Sequence, residues 1–241
     1  MCASSPLQCE GDLQAMVAGG DSSSSQAGCW HSDCASLTGR ACLVTGATGF
    51  VGRNVVDALL RRSARPIYCL CRPGRPLPPG WGDAVRRIEG DMESVETLEA
   101  AITESQCEVI FNLAGLYAWW APDNGSFRRA NVDSVRNLLA AITNVQSDPA
   151  PRSRPKLIHV STVLAYGRTS GGLTPETAFT EASPAGPCSS AYAASKAEGD
   201  RLALAAFQAR EVSGCILYLA CCLGADHKLV DPRRDVMRIA S

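Results

Sequence analysis

Short apolar runs alternate with longer amphipathic stretches from Arg40 to about residue 220. The short runs are bounded by glycine, proline and polar residues, and this pattern predicts strands. In the longer stretches apolar residues recur at helical spacing, which predicts helices with one buried face. Strands that alternate with helices predict an α/β fold with a parallel sheet covered on both faces. The predicted strands are Ala41–Thr45, Pro66–Cys71, Ala84–Ile88, Glu108–Ala114, Lys156–Thr162 and Gly214–Ala220.

The first predicted strand leads into a glycine-rich turn and then into an amphipathic helix. Gly46, Gly49 and Gly52 are spaced three apart in this turn. The turn therefore lies at a helix N-terminus, where unpaired N–H groups and the helix dipole favour a pyrophosphate. Gly46 suits the tight turn, Gly49 the approach of phosphates, and Gly52 the close packing of helix on strand. The alternative is a glycine-rich turn that binds no ligand.

Composition predicts one domain and disfavours several classes of partner. The 241 residues are 46% hydrophobic and 20% charged, which suits one α/β core. With 23 basic and 24 acidic residues, the net charge of -1 gives no broad field that attracts nucleic acid or an anionic membrane. The longest apolar run, Cys215–Leu223, is too short to span a bilayer. We expect a cytoplasmic protein without nucleic-acid or membrane partners.

Residues 1–38 are rich in serine and glycine, and we expect a disordered tail before a nucleotide-binding domain over residues 39–241. The 12 cysteines are interpreted as free, mostly buried thiols. Cys69 and Cys71 are assigned to opposite faces of a strand. Cys29, His31 and Cys34 have no fourth ligand nearby, so no metal site is predicted.

Arg72, at the end of the second predicted strand, favours NADP over NAD. In dinucleotide-binding folds this position faces the adenosine ribose, where a carboxylate accepts from a free 2′-hydroxyl and an arginine pairs with a 2′-phosphate. Arg75 follows closely, although both could be ordinary loop arginines. Asp91, after the third predicted strand, is either an acceptor for the adenine amino group or a helix N-cap.

Tyr192 and Lys196 are four residues apart, so on a helix they share one face. A lysine ammonium favours the phenolate, and we expect it to lower the pKa of Tyr192 toward a value useful for acid–base chemistry. The fifth predicted strand ends in Ser161 and Thr162, at the sheet edge where ligands bind. Thr162 is the candidate that hydrogen-bonds a substrate oxygen, with Ser161 second. Either hydroxyl could instead bond the local backbone.

These motifs together resemble the extended short-chain dehydrogenase/reductases of the NAD-dependent epimerase/dehydratase family. Within that family the chain is similar to the dihydroflavonol reductase-like branch, on the basis of Cys71-Arg-Pro-Gly74 and Leu116-Tyr-Ala-Trp-Trp-Ala-Pro-Asp123. The resemblance covers residues 41–224. The motifs that carry it are Thr45-Gly-Ala-Thr-Gly-Phe-Val-Gly52, Gly90-Asp91-Met92, Asn112-Leu-Ala-Gly115, Asn131-Val132, Ser161-Thr162 and Tyr192 with Lys196.

The resemblance implies a Rossmann-type, doubly wound parallel sheet and hydride transfer between a nicotinamide and a small-molecule substrate. It implies Tyr192 as acid and base, Lys196 as the residue that orients the ribose, Thr162 on the substrate oxygen and Asn131 beside the site. On residues alone, Asn131 could equally be a helix-face residue without a catalytic part. A homodimer is the family expectation. The implied cofactor-binding residues are Gly46, Thr48, Gly49, Phe50, Val51, Gly52, Arg72, Asp91, Met92, Ala114, Gly115, Tyr192 and Lys196.

Two departures from the family pattern lead to three hypotheses. Leu219-Ala-Cys-Cys-Leu-Gly224 stands where most members have an Arg-Pro pair, and with the last residue at Ser241 we expect the C-terminal substrate lobe to be largely absent. The first hypothesis is an NADP(H)-dependent oxidoreductase that interconverts a ketone and a secondary alcohol. The second is an NAD-dependent nucleotide-sugar epimerase or dehydratase. The third is a truncated, non-catalytic dinucleotide-binding module.

Overall fold

The computed structural model of the chain describes residues 37–118, 123–151, 153–167, 179–180, 183 and 185–222. Some of the predictions lie outside these residues. They are the tail up to residue 36, the group of Cys29, His31 and Cys34, the tryptophans Trp119 and Trp120, and the stretch from Leu223 onward.

Six parallel strands form one sheet in the order β3-β2-β1-β4-β5-β6. This is the doubly wound, Rossmann-type order, so the predicted fold class is confirmed. All six predicted strands are present, and β4 ends two residues early because the chain leaves the sheet after Asn112. The strands are β1 Cys42–Thr45, β2 Ile67–Cys71, β3 Val85–Glu89, β4 Val109–Asn112, β5 Lys156–Thr162 and β6 Gly214–Leu219.

Helices connect the strands and begin where the sequence supplies caps. Ser94 accepts a hydrogen bond from Thr97 N at 3.2 Å, and Ser190 accepts one from Ala193 N at 3.1 Å; each serine satisfies an unpaired N–H group of a first turn. The α-helices are α1 Phe50–Arg61, α2 Val95–Ser105, α3 Asn124–Arg128, α4 Ser134–Gln146 and α5 Ala191–Gln208. A π-helical segment, Arg129–Asp133, joins α3 to α4, and short 3-10 turns lie at Pro79–Ala84 and Val163–Tyr166.

The sheet separates two apolar cores. One face packs on α2, α4 and α5 through side chains such as Leu98, Leu138 and Ala203, and the other packs on α1 through Val56 and Leu59. Among the described residues, no helix is long and apolar enough to cross a membrane.

Cys69 and Cys71 both belong to the core under α1, so their assignment to opposite faces is wrong. Residues two apart in a strand point to the same side of the sheet. The described cysteines are free thiols. Cys42, Cys69, Cys71 and Cys107 are buried, Cys188 is half-buried, and Cys215, Cys221 and Cys222 are exposed.

The strand order places the ligand crevice beside β1. The sheet grows from β1 to β2 on one side and from β1 to β4 on the other, and ligands of open α/β sheets bind where the order reverses. The glycine turn follows β1 directly, and Leu113 N donates to Thr45 O at 3.3 Å where the chain leaves β4. The glycine turn and the segment that carries Ala114 and Gly115, both predicted to bind the cofactor, therefore lie at the same crevice.

Candidate active site

Gly46 and Gly52 are the two glycines of the turn that no larger residue can replace without movement. Gly46 has a φ of 67°, and a Cβ atom there would lie 2.7 Å from the Leu113 carbonyl and from Ala114 N. A Cβ atom on Gly52 would overlap the Gly46 carbonyl oxygen. The first glycine therefore lets the turn pass under the loop after β4, and the second lets α1 pack onto the turn.

The N-terminus of α1 is open toward the crevice. Gly49 is its N-cap, and within the described residues no side chain caps this end. Gly49 N donates to Gly46 O at 3.0 Å, while Thr48 O accepts from Arg53 Nε at 3.2 Å. Phe50 and Val51 begin the first turn, whose N–H groups have no partners within the helix and suit a pyrophosphate. This cradle, shaped by backbone that a side chain would fill, fits a dinucleotide.

The end of β2 carries an exposed turn with two arginines. Residues 72–75 form a β-turn in which Arg75 N donates to Arg72 O at 3.1 Å and Gly74 has a φ of 72°. Arg87, on β3, donates from Nε to Arg75 O at 3.0 Å and from Nη2 to Arg72 O at 3.2 Å. The Arg87 guanidinium thus holds the turn from one side, and the Arg72 and Arg75 side chains are exposed.

Asp91 and Met92 form the loop after β3. Asp91 Oδ1 accepts from Glu93 N at 3.0 Å, and the N-cap of α2 is Ser94, so the N-cap interpretation of Asp91 is wrong. Met92 packs against the core, and its carbonyl accepts from Asn137 Nδ2 at 3.0 Å.

Asn131 is a buried clamp between two segments of the site. Its Oδ1 accepts from Leu116 N at 2.8 Å, and its Nδ2 donates to Leu116 O at 3.1 Å and to Ser195 Oγ at 2.9 Å. Asn131 is 1% exposed and lies on the buried face of the π-helical segment, and its catalytic part stays a prediction. It fixes the loop that carries Ala114 and Gly115 against α5.

Ser195 is a residue that the sequence argument missed. Its hydroxyl accepts from Asn131 and donates to Tyr192 O at 2.7 Å, which joins the clamp to the first turn of α5. Gly199, on the same helix, packs so closely that a Cβ atom there would overlap the Asn131 carbonyl oxygen. The small residues between Tyr192 and residue 200 were the available signal, since close helix contacts require them.

Tyr192 is half-buried among aromatic rings. Its ring centroid lies 5.1 Å from that of Tyr117 and 6.4 Å from that of Phe127. Burial raises the pKa of Tyr192 to about 12, and Tyr117 and Asp200 add to the rise, while a hydrogen bond with the Thr162 side chain opposes it. The expected lowering of this pKa by Lys196 is therefore wrong for the protein alone.

Lys196 is directed at strand β5 of the sheet. Its Nζ donates to Val160 O at 2.9 Å, and the residue is 7% exposed. Burial lowers the pKa of Lys196, and the Asp200 carboxylate opposes that change. This placement explains why the ammonium is not among the groups that act on Tyr192.

Ser161 and Thr162 face different partners at the end of β5. Ser161 is buried and donates to Asp200 Oδ2 at 2.7 Å. The Thr162 side chain lies near enough to Tyr192 to lower the pKa of that phenol, and it accepts a hydrogen bond from Leu164 N at 3.3 Å. Of the two candidate hydroxyls, only Thr162 lies beside the phenol.

Asp200, His159 and Asn112 are further polar residues that the sequence argument missed. All three are at most 3% exposed. The spacing of four residues between Lys196 and Asp200 was a usable signal, because such residues are neighbours on a helix. Within the described part of the chain, no three His, Cys, Asp or Glu side chains are placed to hold a metal ion.

The chain is similar in sequence to proteins named as reductases and matches a family model. Residues 42–240 match the model of the NAD dependent epimerase/dehydratase family. The chain is 33% identical over 127 residues to a 4-hydroxy-2-methyl-3-oxo-4-farnesyl-3,4-dihydroquinoline-1-oxide ketoreductase of Stigmatella aurantiaca, covering 52% of this chain and 35% of the relative. It is 28% identical over 170 residues to a Synechocystis sp. protein that carries the name of a dihydroflavonol 4-reductase, covering 68% and 44%. The chain thus spans less than half the length of these relatives.

Among solved structures, the chain is similar to dTDP-glucose 4,6-dehydratase from Bacillus anthracis in complex with NAD. The TM-score is 0.58 at 26% sequence identity, and the match covers 73% of this chain and 53% of that one.

Proposed function

Because this chain belongs to the NAD dependent epimerase/dehydratase family, we propose that it binds NADP(H) and interconverts a ketone and a secondary alcohol on a small molecule. The observation that carries the proposal is the meeting of two groups at one sheet edge. The glycine cradle follows β1, and the end of β5, two strands away in the sheet, brings Thr162 to Tyr192. A nicotinamide cofactor, when bound, supplies or accepts the hydride.

The residues of the chain supply the proton and hold the substrate oxygen. With a pKa of about 12, Tyr192 is a protonated phenol at neutral pH and is therefore a proton donor. Thr162 is placed to share the substrate oxygen with it. This protonation state favours reduction of a ketone, in which the oxygen gains a proton. Lys196 and Asn131 hold the surrounding backbone, and Lys196 is the candidate for the ribose hydroxyls.

The exposed turn at residues 72–75 supports NADPH as the preferred cofactor. Arg72 and Arg75 are exposed on a turn that Arg87 holds in place, and an arginine at this position suits a 2′-phosphate. The alternative is NAD, the cofactor in the Bacillus anthracis dehydratase structure. The two cofactors differ only in the phosphate that this turn would meet.

Titration calorimetry with NADPH and NADH tests the cofactor. We expect tighter binding of NADPH, and Arg72→Ala should weaken NADPH about tenfold or more without changing NADH, because a charge-assisted bond to phosphate is lost. Arg62→Ala, an exposed arginine at the end of α1, is the matched control. Tighter binding of NADH would favour the NAD-dependent alternative. Binding of neither nucleotide would contradict all three hypotheses, namely the oxidoreductase, the epimerase or dehydratase, and the binding module.

The aromatic wall beside Tyr192 supports an apolar or ring-containing substrate. Tyr117 is 52% exposed and stands against the Tyr192 ring, so one of its faces is available to a ligand. The Stigmatella relative is named as a ketoreductase of a ring compound, which agrees with this chemistry.

The second candidate is an NAD-dependent nucleotide-sugar epimerase or dehydratase, favoured by the similarity to dTDP-glucose 4,6-dehydratase. Turnover should be measured with cyclic ketones and with dTDP-glucose and UDP-glucose, using wild type, Tyr192→Phe and the control Tyr68→Phe in the core. Ketone reduction that needs Tyr192 supports the first candidate, and sugar-nucleotide turnover supports the second. Tight nucleotide binding with no Tyr192-dependent turnover leaves the non-catalytic binding module.

A further inference from the structure

A row of buried polar side chains crosses the sheet beneath the candidate site. Thr45 Oγ1 donates to Asn112 Oδ1 at 2.7 Å, and Asn112 Nδ2 lies 3.0 Å from His159 Nδ1. His159 Nε2 in turn lies 3.2 Å from Asp200 Oδ1, on α5. Thr45 pairs with Asn112 and Asn112 pairs with His159 in the strand register, so three adjacent strands contribute one residue each.

The direction of the hydrogen bonds along this row is determined by its first member. Thr45 Oγ1 accepts from Ala114 N at 3.1 Å, so its own proton goes to Asn112 Oδ1. The Asn112 amide nitrogen then faces His159, and Nδ1 of that histidine must accept. The remaining proton of a neutral His159 is on Nε2, facing Asp200. Burial lowers the pKa of His159, which favours this neutral form.

Asp200 holds two contacts at its buried carboxylate. Oδ2 accepts from Ser161 Oγ at 2.7 Å, and Oδ1 faces His159 Nε2. Neither His159 Nε2 nor Asp200 Oδ1 has an aligned hydrogen bond to a described residue, so the 3.2 Å approach is the polar contact that each has. A buried carboxylate is costly without a compensating charge. The compensating charge lies one turn back on α5, at Lys196.

We propose that Asp200 is a positioning residue, the buried counter-charge that keeps Lys196 an ammonium, and that the row from Thr45 through Asn112 and His159 holds its carboxylate in place. The inference rests on the role of Lys196 in the proposed function. Because Thr45 also binds Ala114, at the cofactor side of the crevice, the row ties the nucleotide cradle to the helix that carries Tyr192.

The side chains around Lys196 and Asp200 are neutral, so the Asp200 carboxylate is the charge that affects the pKa of Lys196. His159 faces Asp200 from β5, and Tyr218 faces Asp200 from β6. Tyr192 lies one turn before Lys196 on α5. Burial keeps each of these three side chains neutral at neutral pH by lowering the pKa of the histidine and raising the pKa of the tyrosines. Among the described residues, Asp200 is the one charge that acts on the pKa of Lys196.

The composition of the chain makes the test direct, because Lys156, Lys196 and Lys228 are its only lysines. The full chain labelled with 13C at lysine Cε is titrated by NMR without nucleotide, and Lys196→Met assigns the signal. Asp200→Asn should lower the proton affinity of Lys196 about tenfold or more. Asp148→Asn, at an exposed site, is the control and should leave it unchanged. An unchanged Lys196 titration in Asp200→Asn, or an equal change in the control, would overturn the proposal.

A second measurement needs no variant and remains decisive if Asp200→Asn does not fold. The chain has three histidines, His31, His159 and His227. Long-range 15N spectra of the wild type should show one histidine as the Nε2–H tautomer whose pKa lies below the ordinary value of a histidine. An Nδ1–H tautomer, or ordinary titration of all three, would overturn the row. Neither measurement contains nucleotide, so a failure of nucleotide binding in calorimetry would contradict the proposed function separately.

Discussion

The rings of Tyr117 and Tyr192 lie almost perpendicular, with centroids 5.1 Å apart and an interplanar angle of 86°. Tyr117 thereby covers part of the phenol that the proposed chemistry depends on. Burial and the Tyr117 phenol both raise the pKa of Tyr192, which reaches about 12. One exposed aromatic residue thus helps to keep Tyr192 protonated.

Removal of the Tyr117 ring should lower the pKa of Tyr192. In Tyr117→Ala the Tyr192 phenol gains solvent and loses a neighbouring phenol, and both changes move its pKa down toward the ordinary value near 10. Absorbance titration at the phenolate band, compared with the double variant that also carries Tyr192→Phe, isolates the Tyr192 step. A pKa that stays at about 12 would mean that burial by other residues, together with Asp200, sets it without Tyr117.

Substitution of Gly52 should damage both stability and nucleotide binding. Gly52→Ala places a methyl group against the Gly46 carbonyl, and overpacking of this kind costs about 2 kcal/mol of the free energy of unfolding. Urea denaturation and calorimetry measure the two effects. Gly80→Ala is the matched control, since a Cβ atom there meets nothing within 4 Å. Normal nucleotide affinity in a folded Gly52→Ala protein would contradict the assignment of the cradle.

Substitution of Thr162 should mainly lower turnover, whereas substitution of Ser161 should mainly lower the free energy of unfolding. Thr162→Val is expected to lower turnover about 100-fold, because the hydroxyl lies beside Tyr192. The lost bond to Leu164 N should cost about 1 kcal/mol or less of the free energy of unfolding. Ser161→Ala removes a partner of the buried Asp200 carboxylate and should cost about 2 kcal/mol of stability. The reverse pattern would show that Ser161 is the residue on the substrate oxygen.

Asn131 should matter to stability more than another asparagine nearby. Asn131→Ala leaves the N–H and carbonyl of Leu116 without their partner and removes one of the two bonds of the Ser195 hydroxyl, and we expect the free energy of unfolding to fall by about 3 kcal/mol. Asn137→Ala removes a single bond to Met92 and should cost about 1 kcal/mol. Equal losses in the two variants would argue against the clamp.

His159 should make the protein less stable in mild acid. Burial lowers the folded-state pKa of His159 below its ordinary value of 6.5, so below that pH the unfolded chain binds a proton that the folded protein does not. Stability is therefore complete above this pH and falls on acidification, by up to about 1.4 kcal/mol per pH unit. Urea midpoints between about pH 5 and 7 measure the slope, and His159→Gln should flatten it. The same slope in the variant would assign the effect to other groups.

The sequence could predict what depends on local pattern. Each strand is a short apolar run, the glycines mark the turn after β1, and the spacing of Tyr192 and Lys196 places both on one helix. The direction of the Tyr192 pKa could not be predicted, because it depends on Lys196 reaching Val160 and on Tyr117 covering the ring. These contacts arise only when β5, α5 and the loop after β4 are packed together.

The buried polar residues were missed for a related physical reason. Asn112, His159 and Asp200 are separated by 47 and 41 positions along the chain, and only the strand register and the packing of α5 bring them into one row. Asn131 carries a motif of its own, but its two-way bond to Leu116 depends on a loop path that no periodicity encodes.

Gly199 has a consequence for the energetics of the proposed reaction as well as for packing. With its Cα against the Asn131 carbonyl, α5 has no room to slide or to rotate past the π-helical segment. The proposed proton donor, Tyr192, therefore loses its orientational freedom once, during folding. A mobile donor would lose that freedom at each turnover. A variant with a larger residue at position 199 and an unchanged glycine cradle is expected to bind the nucleotide with Tyr192 displaced from its proposed position for proton transfer.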